Sequence, residues 1–268
     1  MELNIISLDN KAKGKKKLPT QFAEPVRTDL IKRAVHTIQS NKRQPYGAYD
    51  HAGQGHAART RKRRRRYRGS YGIGIARVTR KVMSRRGSRF TWTGAVAPGT
   101  VGGRRAFPPL ADKKWNKKIN DKERRKAIRS ALAAVMQPEL VKERGHKIPE
   151  AYPFIIDDSI ETLEKTKKVK QVLQTLGLTE ELARASIKKV RAGKGTMRSR
   201  KYKTKKGPLL VVADKCKLLK TAQNIPGIEV ITINKINAEL LAPGAHPGRA
   251  TLFTEGAITK LEKDKLFM

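Results

Sequence analysis

The stretch Pro208-Leu209-Leu210-Val211-Val212-Ala213-Asp214 decides the fold class of this chain. Its centre is a run of aliphatic residues without a polar interruption, and it ends on a carboxylate. A short, continuous apolar run of this kind is typical of a strand that is covered on both faces in a parallel sheet. The sequence therefore predicts a buried strand over residues 208–214.

Three further apolar runs predict strands at 2–8, 151–158 and 228–234. Segments with apolar residues at steps of three and four lie between the strands and predict helices. An alternation of strands and helices is typical of α/β proteins, in which helices connect parallel strands. We therefore predict a three-layer α/β/α domain with a mostly parallel, four-stranded sheet. The predicted helices span 25–40, 120–138, 159–176, 179–190, 216–223, 236–241 and 252–266.

A long arginine-rich segment, residues 41–118, interrupts this pattern. Its 22 lysines and arginines outnumber two carboxylates, Asp50 and Asp112, so 78 residues carry a net charge of +20 out of the chain's +38. Glycines are frequent and no amphipathic period persists, so no helix or strand is predicted there. The like charges of such a segment repel one another, and it has too little apolar surface to fold alone. We therefore predict a globular α/β domain over 1–40 and 119–268, with 41–118 inserted as an extended basic loop.

This charge points to nucleic acid as the partner. A chain with a net charge of +38 and a pI near 10.7 attracts a dense polyanion.

No apolar run approaches the roughly 18–20 residues that span a bilayer, so no membrane partner is expected. The single cysteine, Cys216, excludes an internal disulfide and fits a reducing compartment. The first residues, Met1–Asp9, are interpreted as a strand and not as a signal peptide.

Aromatic residues of the basic loop, among them Trp92, are interleaved with arginines. Arginine donates two hydrogen bonds to a phosphate and stacks on bases, while aromatic rings offer platforms for unpaired bases. A second basic run, residues 191–206, has eight cations and no acidic residue. The side chains predicted to contact RNA are Lys42, Arg43, Arg59, Arg61, Lys62, Arg63, Arg64, Arg65, Arg66, Arg68, Arg77, Arg80, Lys81, Arg85, Arg86, Arg89, Trp92, Arg104, Arg105, Arg191, Lys194, Arg198, Arg200, Lys201, Lys203, His246 and Arg249.

Three other patterns suggest chemistry, and each has a simpler interpretation. Gly53–Ala58 fits a loose dinucleotide-binding pattern, but no apolar strand precedes it. Gly193–Thr196 lacks the full spacing of a phosphate-binding loop, and its glycines would let the backbone approach an RNA phosphate. Asp157 and Asp158 end a predicted strand and could hold Mg²⁺, but capping of the following helix is the simpler interpretation. We predict no catalytic residue, no metal site and no cofactor.

Four phrases carry a resemblance to a known family. They are Gly102–Pro109 (GGRRAFPP), Asn120–Ile128 (NDKERRKAI), Arg191–Tyr202 (RAGKGTMRSRKY) and Leu240–Arg249 (LLAPGAHPGR). Together they resemble the L-four family of large-subunit ribosomal proteins, and the last two are specific to its archaeal and eukaryotic branch. The long C-terminal extension of eukaryotic members is missing, so the chain looks archaeal.

The resemblance implies a structural constituent of the large ribosomal subunit, cytoplasmic as part of the ribosome, and not an enzyme. It implies an α/β/α domain on the outer face of the subunit and a loop that passes through 23S ribosomal RNA to the wall of the nascent-peptide exit tunnel. The loop tip would lie at about Gly72–Trp92, near a constriction shared with the protein L-twenty-two, and the nascent peptide would be a transient partner. A hairpin-like loop of 78 residues reaches about 130 Å when fully extended, which is enough to cross a large RNA particle.

Two other functions fit the charge. An RNA-processing or RNA-modifying enzyme would need a cofactor loop after the first strand, and Asp9–Gly14 supplies no such motif. A chromatin- or nucleoid-compacting protein would more often join basic tails to a dimeric core. The ribosomal interpretation is the leading hypothesis.

Overall fold

The structure is a computed structural model that describes residues 1–67, 69–87 and 89–268. The strands in these residues are β1 Glu2–Ile6, β2 Ala12–Lys17, β3 Arg80–Arg86, β4 Arg89–Gly94, β5 Ile155–Ile156, β6 Lys188–Val190, β7 Tyr202–Thr204, β8 Leu209–Val212, β9 Glu229–Thr232 and β10 Thr251–Thr254. The α-helices are α1 Thr28–Asn41, α2 Asp121–Val135, α3 Pro138–Glu143, α4 Thr166–Thr175, α5 Thr179–Ser186, α6 Leu218–Thr221, α7 Ala238–Leu241 and α8 Glu255–Lys263. Within the described ranges, none of these helices has the length and apolar character required to cross a bilayer.

The chain divides into two units. One, termed the α/β unit, consists of Met1–Lys42 and Asn116–Met268, and the other, termed the basic unit, is Arg43–Trp115. The large clusters of buried hydrophobic side chains found in the described chain belong to the α/β unit. The two units therefore differ in how much apolar surface they bury.

A six-stranded sheet with the order β2-β1-β5-β10-β8-β9 organises the α/β unit. β2 pairs with β1 antiparallel, and the four other pairings are parallel. The predicted α/β class with a mostly parallel sheet is therefore confirmed. The four predicted strands correspond to β1, β5, β8 and β9, although β5 is limited to two residues. The predicted number of four strands was wrong, because the sheet has two more.

The two unpredicted strands, β2 and β10, escaped the sequence pattern for different reasons. β2 lies in a lysine cluster that lacks an apolar run, and its residues are exposed or half-buried at the sheet edge. Lysines are common on edge strands because they discourage pairing with other chains. β10 lies where the apolar spacing predicts the start of a helix at 252. Its four residues are buried, and Thr254 accepts a hydrogen bond from the Ala257 amide, so α8 begins only at Glu255.

Alternate residues of the central strands face opposite sides of the sheet. Leu209 and Val211 of β8 pack in one cluster with residues of α1, α2, α7 and α8. Leu210 and Val212 pack in a second cluster with residues of α4, α5 and α6. Helices therefore cover both faces of the sheet, and this coverage explains why β8 shows no polar alternation.

Two antiparallel hairpins lie in basic segments. The sequence predicts no regular structure for β3, β4 and β7. β6 lies at the end of the helix predicted over 179–190, and that prediction was wrong after Ser186, where α5 ends. β6 pairs with β7 in the α/β unit, and β3 pairs with β4 in the basic unit. The sequence does not reveal these strands because backbone hydrogen bonds between them form the hairpins, while their side chains show no regular apolar spacing. Among the described side chains of the basic unit, which exclude those at positions 68, 88 and 90, only Ser70 and Ala95 are buried. A two-stranded hairpin without a core is only marginally stable in water.

Candidate nucleic-acid interface

The basic unit carries a large excess of positive charge. Arg43–Trp115 contains 19 lysines and arginines against Asp50 and Asp112, which is a net charge of +17 over 73 residues. No ion pair joins a lysine or arginine of this unit to a carboxylate in the part of the unit that the structure describes. Because these charges repel one another, the unit favours association with a polyanion.

Most of the predicted contact residues are accessible. Lys42, at the edge of the α/β unit, forms an ion pair with Glu239, and Arg68 lies outside the described residues. The half-buried ones are Arg61, Arg80, Lys81, Trp92 and Arg191. The exposed ones are Lys42, Arg43, Arg59, Lys62, Arg63, Arg64, Arg65, Arg66, Arg77, Arg85, Arg86, Arg89, Arg104, Arg105, Lys194, Arg198, Arg200, Lys201, Lys203 and His246.

A groove in the α/β unit, termed the basic groove, brings predicted and unpredicted residues together. It is a cavity of about 950 Å³, and its lining includes the carboxylate of Glu143. The sequence does not single out Arg144 and Arg184, because each lies at a helix where charged side chains are ordinary. The basic side chains that line the groove are Arg144, His146, Arg184, Lys189, Lys203, Lys205, Lys206 and His246.

Backbone carbonyls hold the two arginines of the basic groove. Arg144 donates to the carbonyl of Pro243 at 2.7 Å and to that of His246. Arg184 donates to the carbonyl of Lys206 at 2.8 Å. Burial, together with two neighbouring arginine charges, lowers the pKa of Arg144 to about 10, so this side chain is still protonated at neutral pH. A guanidinium that is already held in place loses little freedom when it binds a phosphate.

The buried carboxylate of Glu181 fixes Arg184 from the other side. Burial by itself would raise the pKa of Glu181, but hydrogen bonds from Arg184 (2.5 Å), His146 Nδ1 (2.7 Å) and the Lys147 amide (2.9 Å) lower it to about 2. An ionised Glu181 only accepts hydrogen bonds, so Nδ1 of His146 carries the proton of their bond. Burial lowers the pKa of His146, and its imidazole is neutral at neutral pH.

We expect Glu181 to make the α/β unit less stable in acid. Its folded-state pKa of about 2 lies below the ordinary 4.5, so its contribution to stability is complete above pH 4.5 and is lost as the pH falls towards 2. Urea unfolding of the wild-type protein and of Glu181→Gln across this range measures the effect. The advantage of the wild type in free energy of unfolding should shrink with falling pH, and an advantage that stays constant would contradict the assignment.

Arg249, a predicted contact residue, is buried inside the α/β unit. Its side chain is 0% exposed, Nε donates to the Gly207 carbonyl at 2.9 Å, and Nη1 donates to Glu229 Oε2 at 2.7 Å. The preceding Gly248 has φ +88, and a Cβ added there would lie 2.6 Å from the carbonyl oxygen of Leu140, so this turn requires glycine. Acceptors from distant parts of the chain therefore hold Nε and Nη1 of Arg249 inside the α/β unit, and not on the surface where an RNA contact was predicted.

The paired carboxylates Asp157 and Asp158 have protein partners. Hydrogen bonds from Lys13 Nζ (2.5 Å) and Ser159 Oγ (2.6 Å) lower the pKa of Asp157. Asp158 Oδ1 accepts from the Gly256 amide at 2.7 Å, in the first turn of α8. A carboxylate at a helix N-terminus is stabilising, but the helix concerned is α8 and not the one that follows directly. Among the described residues, no cluster of three or more His, Cys, Asp or Glu side chains could hold a metal ion.

Comparison with known proteins identifies relatives along almost the whole chain. The ribosomal protein L4/L1 family model matches residues 16–264. The large ribosomal subunit protein uL4 of Nanoarchaeum equitans is 48% identical over 268 residues, which are 100% of each chain. Its counterpart in Methanococcoides burtonii is 45% identical over 97% of both chains. The one in Archaeoglobus fulgidus is 39% identical over 97% of this chain and 98% of the relative. These relatives are archaeal, in agreement with the expectation of an archaeal member, and the chain belongs to the ribosomal protein L4/L1 family.

Proposed function

We propose that this protein is a structural constituent of the large ribosomal subunit, where it binds 23S ribosomal RNA in the cytoplasm. The relatives that match over 97–100% of this chain are named as large ribosomal subunit proteins, which supports the location. Membership of a ribosomal protein family supports a structural role in place of an enzymatic one. Neighbouring large-subunit proteins are then its other partners.

The observation that carries RNA binding is the composition and burial of the basic unit. It has a net charge of +17, and Ser70 and Ala95 are its only buried residues among the described side chains. Ordering a chain costs about 1–2 kcal/mol per residue, and no hydrophobic core is available to offset that cost. Phosphate contacts and the release of counterions offset it in the bound state. The basic unit thus makes up most of an extended loop, residues 41–118, that takes its shape from folded RNA.

This loop passes through the ribosomal RNA to the wall of the nascent-peptide exit tunnel. The family resemblance supports this path, and the β3–β4 hairpin overlaps the region Gly72–Trp92 that the resemblance assigns to the tip. The exposed arginines of the hairpin, such as Arg85 and Arg86, would bind phosphates along the way. The protein L-twenty-two is then a neighbour at the tunnel constriction, and the nascent peptide is a transient partner.

The basic groove of the α/β unit is a second RNA contact. Its immobilised arginines, Arg144 and Arg184, lie in one cavity with Lys203 and His246. The segment 191–201, between β6 and β7, contributes further exposed cations close to Lys203 in sequence. Two separate basic surfaces on one chain are suited to bringing two parts of a folded RNA together.

Limited proteolysis with trypsin tests the proposal. In the free protein we expect rapid cleavage within residues 41–118, because no core protects the many lysines and arginines there. In complex with large-subunit ribosomal RNA the same sites should resist, while cleavage within 121–135 should be slow in both samples. Equal protection of residues 41–118 in free and bound protein would contradict the loop argument. Failure of the chain to co-sediment with large subunits would contradict the ribosomal location.

A further inference from the structure

Three side chains of the basic unit form a stacked cluster that the proposed phosphate contacts do not explain. The rings of Tyr46 and Trp115 have centroids 4.9 Å apart with an interplanar angle of 36°. The guanidinium carbon of Arg43 lies 5.1 Å from the Tyr46 ring centroid and 4.8 Å from that of Trp115. Two aromatic rings and a guanidinium plane are the groups on which nucleobases stack.

Local hydrogen bonds hold the two chain segments that carry this cluster. The Ala48 amide donates to the Pro109 carbonyl at 3.0 Å, and Trp115 Nε1 donates to the Ala111 carbonyl at 3.2 Å. A Cβ added at Gly47 would lie 3.2 Å from the Ala111 amide nitrogen, so the segments approach closely at this point. These contacts bring the two segments together at the cluster, which is termed the platform, although no hydrophobic core lies under it.

The platform borders an open cavity of about 790 Å³. The side chain of Phe107 is 90% exposed at its rim and that of Tyr46 is 47% exposed. Arg105 and Lys113 also line the cavity, together with the carboxylate of Asp112. This arrangement is complementary to a nucleotide. The exposed rings suit the apolar faces of a base, and the two cations suit the anionic phosphates on either side of it.

We propose that this cavity receives an unpaired base of the bound RNA, which stacks against Trp115 and Phe107 while Arg105 and Lys113 bind its flanking phosphates. The inference rests on the RNA binding proposed above and adds a class of nucleotide to it. A base within a double helix is already stacked on its neighbours, so a splayed-out base from a loop or bulge is the form that fits. The carboxylate of Asp112 is suited to accept a hydrogen bond from an amino group on the base edge.

Tryptophan fluorescence tests this inference, since the chain has two tryptophans and Trp92→Phe leaves Trp115 as the only one. Stacking of a base quenches an indole, whereas binding of a phosphate chain does not bring a ring against it. We expect a single-stranded oligoadenylate to quench the emission of the Trp92→Phe protein, and inorganic polyphosphate of equal charge to leave it nearly unchanged. In the same background, Phe107→Ala should weaken oligoadenylate binding about 5- to 150-fold, the usual effect of removing one stacking ring.

The matched control is Val101→Ala, which truncates a fully exposed apolar side chain of the same unit and should leave affinity and quenching unchanged. Equal quenching by oligoadenylate and polyphosphate would overturn the stacking site. Equal weakening by Phe107→Ala and Val101→Ala would overturn it too. If oligoadenylate binds with a steep salt dependence but without quenching, the stacking site fails and the proposed RNA binding stands. If no RNA binds at all, both fail.

Discussion

Replacing residues 43–115 by a short glycine–serine linker should leave the α/β unit folded and remove most of the salt-dependent RNA affinity. The hydrophobic clusters that form the core have no member in that segment. The ends to be joined are close, because the Lys117 amide donates to Asn41 Oδ1 at 2.9 Å. The linker variant loses 19 lysines and arginines. Log affinity falls linearly with log salt concentration, and each lost phosphate contact makes this line less steep by about 0.9.

Titration with large-subunit ribosomal RNA at several salt concentrations measures this slope. If only six of the lost cations contact phosphates, the magnitude of the slope decreases by about 5, and affinity at low salt falls by several orders of magnitude. The control substitutes Lys167, Lys168 and Lys170, exposed on α4 and outside the predicted contact residues, by glutamine. This control should change the slope far less. A linker variant with an unchanged slope, or without cooperative unfolding, would contradict the division of roles between the units.

Glu181→Ala should destabilise the α/β unit by about 3–5 kcal/mol, the usual cost of breaking a buried ion pair on one side. The wild-type side chain is 0% exposed, and it accepts hydrogen bonds from Arg184, His146 and the Lys147 amide. Its loss leaves those donors without their acceptor and the Arg184 guanidinium without its counterion. Urea unfolding at neutral pH gives the free-energy difference.

The adjacent residue offers a matched control for this prediction. Glu180 lies on the same helix, but its side chain is 72% exposed and pairs with Lys147 Nζ at 2.9 Å. Exposed ion pairs contribute at most about 1 kcal/mol, so Glu180→Ala should have a small effect. Comparable losses from the two substitutions would show that burial of the carboxylate is not what makes it important.

Strands β1, β5, β8 and β9 could be predicted because a continuous apolar run is a local signal. β10 could not, since the residues Leu252 and Phe253 fit a helical stripe as well as a strand. What decides between the two is the position between β5 and β8, where all four residues of β10 are buried. β2 was missed for the opposite reason, because its pairing with β1 gives it a strand conformation that its lysines do not signal.

The residues of the candidate site likewise include some that the sequence could predict and some that it could not. The exposed cations of the basic unit could be predicted from charge density, since a segment with little apolar surface has nowhere to bury them. Arg144 and Arg184 could not, because their role depends on carbonyls and a carboxylate from distant parts of the chain. Trp115 shows the same limit, because its stacking with Arg43 joins opposite ends of the basic unit.

The amino-acid sequence by itself determined the α/β class, the basic segment and the expectation of a nucleic-acid partner. These properties follow from composition and from the spacing of residues along the chain. Both are already fixed before the chain folds. Only the tertiary structure decided that Arg249 faces inward to Glu229 while Arg144, Arg184, Lys203 and His246 line one groove. The energy of a charged side chain depends on the partners and solvent around it, and those are set by residues far away along the chain.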